Sequence, residues 1–268
     1  MAGSDTVRLD WAQRQLMRPG RAGAAEAAAE VDSRLVSLTD PASFGAEQYS
    51  VLRQLLERLH RDAGLRVVAV TSPTPGDGKT TTAINVAGAL ARTPGARVLL
   101  VDTDLRHPSV GTRLGIDESL APGLVTALRE PGLELAMLAR ERAPYKLSVL
   151  PAGAPPELPF ELLRSPRLGV LLEEARQAYD FVVLDTSPAL LVPDCRVLEK
   201  WADGFLVVVS AHHTPRRLLA ETLTQMDPAK VLAIVFNRDD RPLAGYYKRY
   251  YGYAQRGSGL FAARGGRR

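Results

Sequence analysis

The stretch Ser72-Pro-Thr-Pro-Gly-Asp-Gly-Lys-Thr80 stands between a strand-length apolar run and a helix-forming segment. Gly76 and Gly78 permit backbone conformations that a side chain would block, so backbone N–H groups and the positive end of the next helix can point at phosphate oxygens. Lys79 can reach the β- and γ-phosphates, and the Thr80 hydroxyl can ligate Mg²⁺. The general pattern G-x-x-x-x-G-K-[ST] fails at its first position, Pro73. Strand, Gly-x-Gly-Lys-Thr and helix together still predict a phosphate-binding loop.

Around this loop, apolar runs of strand length alternate with helical segments. The runs are continuous in Val, Leu and Ile, which is typical of parallel strands buried on both faces by crossover helices. The pattern predicts one doubly wound, mostly parallel α/β sheet, a P-loop NTPase fold, with its ligand at the carboxyl ends of the strands. We expect a weakly ordered N-terminal arm (1–40), the P-loop domain (41–240) and a basic, tyrosine-rich tail (241–268).

Three aspartates follow apolar runs at the ends where this fold binds its ligand. Asp102 and Asp104 come after one run and Asp185 after another. A Mg·ATP complex needs carboxylates to hold the metal, and phosphoryl transfer to a hydroxyl needs a group that takes its proton. Asp104 can instead cap the turn that follows it. Arg106 can neutralise developing phosphoryl charge or pair with an aspartate, and the sequence leaves both roles open.

Composition limits the class of protein. A single cysteine, Cys195, excludes an internal disulfide framework and suits a reducing compartment. No apolar run approaches the roughly 18–20 residues that span a bilayer, so we expect a cytoplasmic chain that reaches the membrane only through a partner. The net charge is +4, yet residues 238–268 hold eight lysines and arginines and two aspartates. The C-terminal region is therefore strongly basic.

That basic region contains the segment Tyr246-Tyr-Lys-Arg-Tyr-Tyr-Gly-Tyr253, with five of the chain's eight tyrosines. A phosphoryl-donor site and a dense set of phosphoryl acceptors on one chain indicate self-phosphorylation on tyrosine. An interaction tail is the alternative, because tyrosine is common at interfaces. The predicted phosphoacceptors are Tyr246, Tyr247, Tyr250, Tyr251 and Tyr253.

With these motifs, the chain resembles the bacterial tyrosine kinase (BY-kinase) family, the CpsD/CapB-type autokinases of polysaccharide export. The segments 72–80, 98–106 and 182–185 match its Walker A, A′ and B motifs, the tyrosine cluster matches its tail, and the resemblance spans roughly residues 31–253. It implies an ATP- and Mg²⁺-dependent autokinase that phosphorylates tails between neighbouring subunits and regulates capsule or exopolysaccharide synthesis. It also implies a homo-oligomeric ring, a separate transmembrane activator of the chain-length-determinant type, and other tyrosine-bearing protein substrates.

The resemblance also assigns roles to single residues. It implies phosphate binding by Lys79, metal binding by Thr80, metal binding and catalysis by Asp102 and Asp185, and positioning of the acceptor by Asp104. The predicted catalytic residues are Lys79, Asp102, Asp104, Asp185 and, because of its charge beside Asp104, Arg106. The resemblance also implies that residues of the phosphate loop and of the helix after it contact phosphate or nucleotide. The same holds for the two residues at which related ATPases contact adenine. These nucleotide-binding residues are Gly76, Asp77, Gly78, Lys79, Thr80, Thr81, Asn237 and Arg238.

Some positions depart from the family. Its ring motif Glu-x-x-Arg-x-x-Arg keeps Glu47 and Arg53 but has Ser50 for the middle arginine, and Ser187 replaces a proline. The competing interpretation is a MinD/ParA-like nucleotide-switched ATPase. Such ATPases carry an extra lysine near the start of the loop, where this chain has Thr74, and they lack a tyrosine tail. DNA binding through the basic tail belongs to that alternative. For the kinase we expect no nucleic-acid partner.

Overall fold

The structure, a computed structural model, describes residues 31–116 and 122–239. In these ranges seven strands form one sheet in the order β3-β4-β2-β5-β1-β6-β7. All neighbouring strands run parallel except β3, which is antiparallel to β4. The strands are β1 Val67–Thr71, β2 Val98–Asp102, β3 Arg140–Arg142, β4 Leu147–Leu150, β5 Phe181–Asp185, β6 Gly204–Ser210 and β7 Val231–Asn237.

Helices connect these strands and cover both faces of the sheet. The described α-helices are α1 Val36–Thr39, α2 Phe44–Ala63, α3 Lys79–Ala91, α4 Val110–Arg113, α5 Leu124–Arg129, α6 Leu135–Leu138, α7 Pro159–Leu163, α8 Pro166–Ala178, α9 Asp194–Leu198 and α10 Arg216–Thr224. A 3₁₀ turn at Pro228–Lys230 leads into β7. The predicted doubly wound, mostly parallel sheet is confirmed.

The core explains why the strand sequences are continuously apolar. Val67 and Ala69 of β1 pack in one hydrophobic cluster, while Val68 and Val70 of the same strand pack in another. Since successive side chains point to opposite faces of a sheet, a strand buried on both sides needs apolar residues at every position. This arrangement fixes β1 in the middle of the sheet, between β5 and β6.

The N-terminal limit of the domain differs from the prediction. The folded unit begins at Val31, so the boundary at residue 40 is wrong. Leu35 is fully buried, the Ser37 backbone N–H donates to Asn85 Oδ1 at 2.8 Å, and Asn85 Nδ2 donates to the Arg34 carbonyl at 3.0 Å. The segment is too short to show helical periodicity, and only its contacts with α3 reveal that it belongs to the domain.

Candidate active site

The phosphate loop joins β1 to α3 and has the two positive-φ glycines that the sequence predicts. Gly76 has φ of 83° and Gly78 has φ of 99°, values that favour glycine. A Cβ on Gly78 would lie 1.9 Å from Asn237 Nδ2. That amide donates to the Asp77 carbonyl at 2.8 Å. The end of β7 thus packs directly against the phosphate loop, and the Asn237 side chain stabilises the loop backbone through this hydrogen bond.

Asp77, predicted to bind the cofactor, turns its side chain into the protein. One carboxylate oxygen accepts from the N–H and the hydroxyl of Thr74, both at 2.9 Å. The other accepts from the Thr214 hydroxyl at 2.6 Å, and Thr214 lies in the connection between β6 and α10. Because Asp77 is fully buried, its carboxylate shapes the loop and only its backbone is placed to meet phosphate.

Asp102 and Asp185 lie side by side at the carboxyl ends of β2 and β5, as partners in the sheet register. Asp102 accepts three backbone hydrogen bonds from the following loop: from Asp104 at 3.1 Å, and from Ser109 and Val110 at 3.0 Å each. The Asp102 carboxylate therefore organises the 102–110 loop. This loop in turn presents the remaining predicted residues of the β2 end to the cleft.

Asp104 faces the phosphate-loop lysine. Its Oδ2 lies 2.7 Å from Lys79 Nζ, and both side chains are largely buried. Its Oδ1 accepts from the Ser187 hydroxyl at 2.9 Å and from the His107 backbone N–H at 3.2 Å. The turn-capping contact to His107 and the lysine contact therefore coexist. The sequence had posed the turn cap as the alternative to a role at the metal or the acceptor, and it did not predict the contact with Lys79.

Asp185 occupies the most unusual environment in the site. It is fully buried, and neither carboxylate oxygen has a hydrogen-bond partner among the described residues. Burial raises the pKa of Asp185 to about 6, a shift that Lys79 and the nearby Thr80 hydroxyl oppose and Asp104 reinforces. Burial alone would lower the pKa of Lys79, but the surrounding carboxylates outweigh it and the pKa is raised. Lys79 therefore stays cationic at neutral pH.

Arg106 is held by an ion pair rather than free. Its Nε donates to Asp194 Oδ2 at 3.0 Å and its Nη2 donates to Asp194 Oδ1 at 3.2 Å. Asp194 is fully buried, and the Arg106 side chain keeps 32% of its surface exposed. The structure shows the pairing with an aspartate, which is one of the two roles that the sequence left open, and the Arg106 side chain also lines the cleft.

A cleft of about 540 Å³ opens over the phosphate loop, and its lining includes residues that the sequence analysis missed. Arg113 of α4 donates to the Thr81 hydroxyl at 3.1 Å and to Asp32 at 3.2 Å. Asp32 also holds Arg34, which lines the cleft as well. No sequence motif marks these residues, because they come from the N-terminal segment and from a short helix. Arg238, predicted to contact adenine, also lines this cleft.

Mg²⁺ takes oxygen ligands, usually one or two carboxylates together with phosphate and water oxygens. The residues present fit such an ion. Asp185 offers two carboxylate oxygens that no hydrogen-bond donor of the described residues occupies. The Thr80 hydroxyl, which accepts from Ser109 Oγ at 3.3 Å, lies at the start of α3. Asp102, the third predicted ligand, already accepts three N–H groups. Asp185 and Thr80 are therefore the better candidates.

The remaining predicted residues lie elsewhere. Glu47 and Arg53 belong to α2, where Arg53 pairs with Glu57 at 3.7 Å, and the Ser50 hydroxyl donates to the Ala46 carbonyl of its own helix. The five predicted phosphoacceptors lie outside the described residues. In the part of the chain that the structure describes, no helix is both long and apolar enough to cross a membrane.

Fold and site together define a P-loop nucleoside-triphosphate-binding domain. Residues 65–227 match the family model AAA_31, described as an AAA domain. This match spans more than half of the chain and runs from the start of β1 to the end of α10. It covers the phosphate loop and all three aspartates.

Individual relatives narrow the family. The chain is 35% identical over 206 residues to the tyrosine-protein kinase YwqD of Bacillus subtilis, covering 76% of this chain and 85% of YwqD. The solved kinase domain of VpsO is 30% identical and superposes with a TM-score of 0.64, covering 73% of this chain and 99% of that one. The chain belongs to the bacterial tyrosine kinase family.

A third relative links the family to polysaccharide export. The chain is 33% identical over 231 residues to the succinoglycan biosynthesis transport protein ExoP of Rhizobium meliloti. The match covers 82% of this chain but only 28% of ExoP. Relatives of this chain thus occur both as proteins of similar length and as a minor part of a much longer protein.

Proposed function

We propose that the chain transfers the γ-phosphoryl group of ATP to tyrosines of its own C-terminal cluster, 246–253. The observation that carries the proposal is the pairing of Lys79 and Asp104 in the cleft, with the buried Asp185 close enough to act on the charge of Lys79. Lys79 supplies a cation that stays charged, Asp104 contacts it at 2.7 Å, and the carboxylate of Asp185 has no hydrogen-bond partner among the residues that the structure describes. A phosphate-binding cation, a proton acceptor and a metal ligand are the parts that this chemistry needs.

Nucleotide binding would use the loop and its surroundings. The backbone at Gly76 and Gly78 and the start of α3 would meet the phosphates, while Thr80 and Asp185 would hold Mg²⁺. When bound, Mg²⁺ neutralises charge on the phosphates during transfer. Thr81 borders the cleft beside Arg113, and Arg238 lines it. The Asn237 amide serves the loop backbone, so Arg238 is the better candidate for contact with the base.

Transfer forms a bond between the tyrosine oxygen and the γ-phosphorus and breaks the bond from that phosphorus to the β,γ-bridging oxygen, so ADP leaves. The phenol proton must pass to a base. We assign this role to Asp104, because phosphate binding would draw Lys79 away from it and leave its carboxylate with one counter-ion fewer. Arg106, fixed by Asp194, would stabilise charge on the transferring group.

The cellular setting is also part of the proposal. We infer that transfer occurs between subunits of a homo-oligomer, a ring if Glu47 and Arg53 suffice without an arginine at Ser50. A separate transmembrane activator would hold the chain at the inner face of the plasma membrane, and the activity would regulate polysaccharide synthesis or export. The similarity to the succinoglycan biosynthesis transport protein ExoP supports this setting. Other tyrosine-bearing proteins fit the same site.

The direct test is to incubate the purified chain with Mg·ATP and to map phosphotyrosine by mass spectrometry, beside Lys79→Met and a chain that ends at Leu243. We expect phosphate on the tail tyrosines of the wild type and none in the lysine variant. Steady ATP hydrolysis without phosphotyrosine, even with a fragment of a membrane activator present, would instead support a nucleotide-switched ATPase.

A further inference from the structure

The Ser187 hydroxyl lies between two buried carboxylates. Its oxygen is 2.9 Å from Asp104 Oδ1 and 3.2 Å from Asp194 Oδ2. Ser187 is 1% exposed, and both aspartates are equally well buried. A hydroxyl has one proton to donate, so Ser187 serves either carboxylate but not both at once.

Each carboxylate also holds a cation that lines the cleft. Asp104 contacts Lys79 of the phosphate loop, and Asp194 holds Arg106 through two hydrogen bonds. Ser187 therefore lies between the ion pair of Lys79 with Asp104 and the ion pair of Arg106 with Asp194. The two carboxylates compete for its one proton, and this competition connects the two ion pairs.

The link matters most when the ion pair between Lys79 and Asp104 opens. Without that ion pair, the donors that Asp104 keeps among the described residues are the Ser187 hydroxyl and the His107 N–H, both on Oδ1. A buried carboxylate needs such donors to keep one orientation. The His107 contact is local to the loop, whereas the Ser187 contact ties Asp104 to the neighbouring strand end and to Arg106.

We propose that Ser187 is a positioning residue: its hydroxyl fixes Asp104 toward the acceptor tyrosine and couples Asp104 to Arg106 through Asp194. The role rests on the tyrosine transfer proposed above. It predicts that Ser187 affects the transfer step and not the binding of nucleotide. Loss of a hydrogen bond to a charged group corresponds to roughly a 10- to 100-fold change.

The test compares initial rates of tail phosphorylation at varied Mg·ATP for the full-length wild type, Ser187→Ala and Ser187→Thr. We expect Ser187→Ala to lower kcat about 10-fold or more, with the KM for ATP within about twofold of the wild type. Ser187→Thr keeps the hydroxyl and should recover most of kcat. Urea midpoints for each variant show whether the fold is intact.

Thr186→Val is the matched control. The Thr186 hydroxyl is also buried and adjacent in sequence, but its partners are the Val70 carbonyl at 3.0 Å, the Ser187 backbone carbonyl at 3.2 Å and Cys195 Sγ at 3.4 Å, and none of these is a carboxylate. Its loss should leave kcat near the wild-type value. An equal fall in kcat for Thr186→Val, or a kcat of Ser187→Ala within twofold of the wild type, would overturn the role of Ser187.

A second measurement remains informative if Ser187→Thr packs poorly. Arg106→Gln should lower kcat less in the Ser187→Ala background than in the wild type, because the coupling to Asp104 is already lost. Additive effects of the two substitutions would overturn the coupling. Absence of phosphotyrosine in the wild type would overturn the proposed function and this role together, whereas an active wild type with an unaffected Ser187→Ala overturns the inference alone.

Discussion

At the scale of residues, two aspartates in the same register of the sheet have opposite surroundings. Asp102 accepts three backbone hydrogen bonds, while Asp185, its partner on β5, accepts none from the described residues. The first carboxylate stabilises a loop. The second carboxylate is buried without such donors, which lowers the stability of the fold but suits the binding of a cation. Functional sites often reduce stability in this way.

Asp185→Asn should therefore stabilise the chain in the absence of Mg²⁺ and nucleotide. The folded-state pKa of Asp185 is raised from 3.8 to about 6, so the native state binds its proton more tightly and the wild type loses stability as pH rises from about 4 to 6. The shift corresponds to about 3 kcal/mol at neutral pH. Urea unfolding at pH 7.5 should favour the asparagine variant, and the difference should vanish near pH 3.5.

Asp102→Asn serves as the contrasting variant. An amide in this position brings an N–H₂ group against backbone donors, so we expect the free energy of unfolding to fall by about 1–3 kcal/mol. If both asparagine variants changed stability in the same direction at pH 7.5, the distinction between the two carboxylates would be wrong.

At the scale of elements, the phosphate loop depends on contact with the end of β7. Gly78→Ala would place a methyl group 1.9 Å from Asn237 Nδ2 at a positive φ, whereas Gly76→Ala, at a similar φ, meets no atom of the described residues within 4 Å. Both variants carry backbone strain of about 1–3 kcal/mol, and Gly78→Ala adds the steric clash. Urea midpoints should rank wild type above Gly76→Ala and Gly76→Ala above Gly78→Ala.

Asn237→Ala in the Gly78→Ala background separates the cost of the steric clash from the cost of the backbone strain. Removing the amide relieves the clash but not the strain, so the double variant should regain part of the lost stability. An unchanged or lower midpoint would show that Asn237 moves aside readily and that its contact with the loop is weak.

The N-terminal segment 31–40 is a second element whose role can be measured. A chain beginning at Val31 keeps Leu35 in the core and both amide contacts of Asn85, and a chain beginning at Pro41 loses them. Loss of one buried leucine alone costs about 2–5 kcal/mol, so the shorter chain should unfold at clearly lower urea. Equal midpoints for the two chains would place the boundary at 40 after all.

The helices and strands show how much of the fold can be predicted from the sequence. The strands that carry the site are predictable because burial on both faces demands unbroken apolar runs, as at Phe205–Val209 of β6. Strand β3, Arg140–Arg142, has only charged residues and gives no such signal. The partners Asp32, Arg113 and Asp194 could not be paired from sequence, because their contacts form only in the folded chain.

At the scale of the whole molecule, the proposed reaction needs both the cleft, which the structure describes, and the tyrosine-rich tail, which lies outside the described residues. The tail carries five tyrosines and a net positive charge, and phosphorylation adds roughly 1.5–2 negative charges at each tyrosine. We therefore expect assembly to depend on phosphorylation: unmodified chains associate, and multiply phosphorylated chains repel one another. Light scattering of the two forms checks this prediction, and equal particle mass would contradict it.

The central claim is tested most directly by mixing two complementary variants with Mg·ATP. One variant keeps the site but has all five tail tyrosines replaced by phenylalanine, and the other is Lys79→Met with an intact tail. Mass spectrometry would then read phosphotyrosine on the lysine variant. The account predicts phosphate at 246–253 of that chain, and none when the first variant also carries Lys79→Met. An unmodified tail in the mixture, while the first variant hydrolyses ATP, would contradict transfer from this site to a neighbour's tyrosines.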